Sequence, residues 1–157
     1  MTTRSVLDVL PVVAEMSRLE LALAGLYRAC SEKYPEDRGF WYAIQLQEEH
    51  HAQVLDGLVE LIRAEPARFR VGRPFNVMTV RTMISSVERY TDQVLDGSLP
   101  RKRALFIARD IEHSVLEASY REIVSTDNLE YRKGMEVLAA DTLAHRDLFA
   151  AEVAKAR

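Results

Sequence analysis

Cysteine is nearly absent from the 157-residue chain. Cys30 alone can form neither an intramolecular disulfide nor a tetra-cysteine metal site within one chain. Glycine and proline are also scarce, at six and five residues, and long stretches contain neither. Few breakers mean few turns, which argues against a sandwich or barrel and for long helices. A large excess of one sign of charge is missing as well: the formal net charge is −3 with acidic and basic residues interspersed. No basic face or stripe stands out, so the sequence gives no case for nucleic acid. Arg63, Arg68, Arg70 and Arg73 cluster around a loop and are expected to be solvated. No apolar run approaches the roughly 18 residues of a membrane span, and the N-terminus lacks a signal-peptide pattern. A cytoplasmic protein without membrane contact is the default expectation.

What the chain does have is 48% hydrophobic residues at helical spacing. A single domain over 1–157 would bury roughly two-thirds of its unfolded surface. Pro11 to Lys33 reads as the first long helix, striped by Val13, Met16, Leu23, Tyr27 and Cys30. Ser5 to Leu10 serves as a lead-in turn or kinked extension. Tyr34-Pro35-Glu36-Asp37 breaks the helix, and Asp37 is placed to cap a second one over about Arg38 to Ala64. Phe40, Ile44, Leu55, Leu58 and Ile62 stripe that helix. An irregular stretch follows through Phe75, then a shorter helix from about Val77 to Asp96 with Met83, Val87, Tyr90 and Val94 on one side. Gly97-Ser98-Leu99-Pro100 separates it from a third long helix, Arg101 to Val124, striped by Leu105, Ala108 and Val115. Ser125-Thr126-Asp127 is a turn with capping chemistry, and the last helix runs from about Leu129 to Lys155, with Met135, Leu138 and Phe149.

Two helix hairpins are thus joined by residues 65–100, too many for an ordinary loop. An up-down bundle needs only short loops, whereas a ferritin-like bundle has one long crossover between its second and third helices. The expected fold is therefore all-α, a ferritin-like four-helix bundle with an extra helix in the crossover.

The apolar stripe of each of the four long helices is interrupted near its middle by an ionisable residue: Glu20, then Glu48 and His51, then Glu112, then His145. Buried carboxylates lose hydration and repel one another, and a divalent cation removes both penalties. Carboxylate oxygen with imidazole nitrogen suits iron, manganese or zinc. The Glu48-x-x-His51 spacing puts both side chains on one helix face. Glu49, His50 and His113 fall off the stripes and read as surface residues, and Trp41 as packing.

A lone Glu on two helices and Glu-x-x-His on the other two is the di-iron carboxylate pattern. Glu20 with Tyr27, Phe40-Trp41 leading into Glu48-x-x-His51-Ala52, Ala108-x-x-x-Glu112 followed by Tyr120, and Leu138-Ala139 leading into His145 resemble a rubrerythrin-type domain over nearly the whole chain. The resemblance implies two iron ions, or one in a degenerate site, with manganese or zinc as alternatives. It implies Glu20, Glu48, His51, Glu112 and His145 as ligands, tyrosine hydroxyls near the carboxylates, and redox chemistry on peroxide or dioxygen. It also implies a homodimer. The tetra-cysteine module of rubrerythrins is missing, so electrons would come from a separate protein. The chain departs from the pattern at Thr142, which stands three residues before His145 where a glutamate is expected, with Asp141 as a reserve ligand. The alternative is a non-catalytic helical module for binding or dimerisation, with Glu48 and His51 paired to protein groups.

Overall fold

A computed structural model describes residues 5–73, 76–114 and 120–156. Most of them are helical. A turn of 3-10 helix at Val6–Val9 leads in, closed by a reciprocal cap in which the Ser5 hydroxyl accepts from the Leu7 amide and Asp8 accepts from the Ser5 amide. Helix α1 follows directly over Leu10–Lys33, with Pro11 in its first turn, where no hydrogen bond is lost. Helix α2 covers Arg38–Ala64, α3 Val77–Leu95, α4 Arg101–His113 and α5 Leu129–Lys155. Among the described residues no helix is long and apolar enough to cross a membrane.

Local chemistry sets most ends. Asn76 accepts from the Met78 amide at the start of α3, and Asn128 from the Tyr131 amide at the start of α5. Gly97, at φ +80°, takes the left-handed turn after α3 that a side chain would resist. Asp37 does not cap α2 as its position suggested. Its carboxylate is held by two of the Arg101 guanidinium nitrogens, Nε and Nη2, at 2.5 and 2.8 Å, and this pair ties the start of α2 to the start of α4. The Tyr34 hydroxyl donates to the Leu99 carbonyl at 2.6 Å, anchoring the end of α1 to the same region.

The second half departs from the helix expected over Arg101 to Val124. Helix α4 ends at His113, and Val115 lies outside the described residues. Val124–Thr126 is a strand, β2, paired antiparallel with β1 at Phe69–Val71, inside the stretch expected to be irregular. The ribbon continues through the Gly72 amide to the Ile123 carbonyl and the Arg73 amide to the Glu122 carbonyl. Phe69 packs edge-on against Tyr131 of α5. Arg68 pairs with Glu65 and Asp127, Arg73 with Glu122, and Arg63 with Glu60, so these arginines form exposed ion pairs.

Helix α1 packs against α2 and α3, while α5 packs against α4 and α2. Helices α2 and α5 run antiparallel, since Trp41 meets Phe149 at one end and Leu58 meets Gly134 at the other. Two apolar clusters result. One gathers Leu23, Tyr27, Trp41, Ile44, Leu105, Ala108 and Phe149. The other gathers Met16, Leu55, Ile62, Tyr120, Met135 and Leu138. On α1, α2 and α5 the sequence passes from one cluster to the other through the ionisable residues, which therefore form a polar layer between two dry ones.

Candidate metal centre

The layer is assembled by periodicity. Glu20 follows Met16 by four residues and precedes Leu23 by three, so it shares their inward face on α1. On α2 Glu48 follows Ile44 by four and His51 precedes Leu55 by four, on α4 Glu112 follows Ala108 by four, and on α5 Thr142 follows Leu138 by four and His145 precedes Phe149 by four. Glu20, Glu48, His51, Glu112 and His145 are at most 2% exposed. Five ionisable groups thus lie in an interior that would reject them singly.

They converge on two triads. Ligand atoms of Glu20, Glu48 and His51 lie within 4.8 Å of one another, as do those of Glu48, Glu112 and His145. Glu48 belongs to both. Its Oε2 is 3.2 Å from His51 Nδ1, and its Oε1 is 3.1 Å from His145 Nδ1. His51 Nδ1 is also 4.0 Å from Glu20 Oε2, and His145 Nδ1 is 3.7 Å from Glu112 Oε2. Both imidazoles therefore turn Nδ1 inward, their rings 5.4 Å apart. Tyr27 donates its hydroxyl to Glu112 Oε1 at 2.7 Å, and Arg146 donates to the Glu112 backbone carbonyl.

The outer imidazole nitrogens are held too. His51 Nε2 is 2.9 Å from Asp141 Oδ2, and His145 Nε2 bonds Gln47 Oε1. Asp141 is thus outside both triads and partly exposed, with its carboxylate against the outer nitrogen of the His51 ring. Thr142 is buried but turns its hydroxyl to the Leu138 carbonyl at 2.8 Å, so it offers the centre no charge. Apolar periodicity alone does not single out Gln47. The signal was available, because Gln47 precedes Glu48-x-x-His51 as Asp141 precedes Thr142-x-x-His145. His50 and His113 are exposed as expected, and Glu49 is half-buried and bonded to Gln45.

Without a cation, protons do the balancing. Burial works to raise Glu48, but hydrogen bonds shared with Glu20, His145 and His51 hold it well below the usual carboxylate range. Burial and then the neighbouring Glu48 charge push Glu112 up. Burial works to lower His145, yet its bonds to Glu112 and Glu48 overcome this and carry it up to about 10. His51 is also raised against its own burial, by Glu48 and Asp141. A pair of divalent cations would replace the protons on the two imidazoles. The donor set fits such ions: each triad offers two carboxylates and one imidazole, a chemistry suited to iron, manganese or zinc.

No family model, curated protein or solved structure matches this chain.

Proposed function

We propose that this chain is a rubrerythrin-like metal-binding protein, built as a ferritin-like four-helix bundle from α1, α2, α4 and α5, with α3 carried in the long crossover. The observation that supports it most is the shared position of Glu48 between two buried triads drawn from all four of these helices. Glu20 and His51 would hold one ion, Glu112 and His145 the other, and Glu48 both. Thr142 stands where a second shared carboxylate would complete the set, so the proposed site is an incomplete one.

If the ions are iron, the reduced pair would supply two electrons, enough to cleave the O–O bond of peroxide or to take dioxygen to peroxide. The chain's own groups do the rest. Tyr27 fixes Glu112 by its hydroxyl and belongs to an aromatic cluster with Trp41, Phe40 and Phe149 that excludes water from one side. Met16, Leu55 and Leu138 do so from the other. Electrons would arrive from a separate protein, since Cys30 is buried and single. A homodimer belongs to the same proposal.

Elemental analysis of protein expressed with iron or manganese is the test. About two ions per chain supports the full proposal, about one a degenerate centre. Thr142→Glu should raise occupancy by restoring the fourth carboxylate, and no gain would count against this placement of α5. A second function is favoured by the hydrogen bonds that the imidazoles and Glu48 already make with one another. They would suit a non-catalytic helical module, for which the same analysis returns no metal.

A further inference from the structure

The two triads are chemically alike inside, each with two carboxylates and one imidazole and with Glu48 common to both. They differ outside. The imidazole of the Glu20–Glu48–His51 end is backed by a carboxylate, Asp141, and that of the Glu48–Glu112–His145 end by a neutral amide, Gln47. Both partners accept from the outer nitrogen, and so leave the inner nitrogen free to offer its lone pair to a cation. Only the carboxylate also adds electron density to the ring and negative charge near the cation, which strengthens the inner nitrogen as a donor.

We propose that the two ends are unequal by construction: the end formed by Glu20, Glu48 and His51 takes the first metal ion and holds it more tightly, and Asp141 is the positioning residue that sets this order. The proposal rests on the metal-binding function above. It adds an order of filling that no count of ligands contains.

The experiment titrates the chelator-treated full chain with cobalt(II), following the d–d absorption of each step, and with zinc(II) against a chromophoric competitor. The wild type should fill in two distinguishable steps. Asp141→Asn should weaken the first about 10- to 100-fold, the usual effect of losing such a partner, and leave the second within a few-fold. Asp147→Asn removes an equal charge from an exposed position of α5 and should change neither step. Gln47→Glu should strengthen the second step and draw the two together.

Single-ended variants assign the ends. In a His145→Ala background Asp141→Asn should still weaken binding, and in a His51→Ala background it should not. Thermal unfolding of the metal-free variants confirms that each is folded. The proposal is overturned if Asp141→Asn weakens both steps alike or neither, or if His51→Ala keeps the tighter step. A wild type that binds no cobalt or zinc would instead remove the metal-binding function itself, and this inference with it.

Discussion

Glu48→Gln is the substitution on which most depends, because one side chain serves both triads. Glu48 is 1% exposed and lies between His51 at 3.2 Å and His145 at 3.1 Å. Glutamine has nearly the same shape, so packing is preserved and only the charge is removed. In the metal-free protein the two imidazoles then lose the anion that holds their protons. Breaking a buried pair by removing one partner costs about 3–5 kcal/mol, since the other charge is left uncompensated. Partial relief comes if the imidazoles lose their protons, so the lower figure is the better guide. For a chain of this size each kcal/mol lowers the midpoint by about 2–4 °C, which gives a fall of roughly 10 °C. Circular dichroism melts in the presence of a chelator at pH 7 would read it.

The same substitution should remove metal from both positions, whereas Glu20→Gln or Glu112→Gln should each remove it from one. Elemental analysis of the three variants against wild type therefore separates a shared ligand from a private one. A Glu48→Gln protein that melts within about 2 °C of wild type and keeps its full metal content would refute the assignment of Glu48 as the common ligand.

Stability of the metal-free chain should fall as pH rises. His145 is held up to about 10 in the folded state against 6.5 ordinarily, so its contribution is full below about 6.5 and is lost as pH rises through about 10. Metal must displace these protons, so the rise in melting temperature on adding zinc should grow over the same range; a gain independent of pH would exclude proton displacement. Gly72→Ala should cost about 2 kcal/mol or more by chemical denaturation, because the new Cβ would sit 2.1 Å from the Glu122 carbonyl oxygen, a backbone atom with little room to retreat. A neutral result would mean the ribbon is not packed as described. Asp37 and Arg101, joined by two hydrogen bonds with Asp37 nearly buried, should show a coupling of about 1–2 kcal/mol in a double-mutant cycle, and additive losses would deny the pair any role in joining α2 to α4.

Helices α1, α2, α3 and α5 were legible because each is long enough for the 3.6-residue period to repeat several times. The β1–β2 ribbon was not, since three residues cannot establish an alternation, and each strand is defined by a partner more than fifty positions away. For the same reason Val124 was absorbed into the helix before it: Leu105, Ala108 and Glu112 set a helical rhythm that nothing local cancels before β2. Asp37 shows the converse failure. Its type and position suit a cap, but a guanidinium 64 residues on forms two charge-assisted bonds with it, and sequence proximity carries no information about such a competitor.

The inward residues of the centre could be found from the sequence because burial against an apolar stripe is a local property. The outer partners required the relation between two helices. In an antiparallel pair, a step of four residues back along one helix is matched by a step of four forward along the other. Once His51 faces Asp141, Gln47 must therefore face His145, and the two hydrogen bonds follow from one register. What the register leaves free is the identity of the two residues. Aspartate at one crossing and glutamine at the other break the equivalence that the backbone would otherwise impose, and that choice lies in the sequence one position before each motif, beside Glu48 and beside the threonine that stands in for its counterpart. Asymmetry in the centre is then a property of two side chains rather than of the fold, and exchanging them (Gln47→Asp with Asp141→Gln) should reverse it.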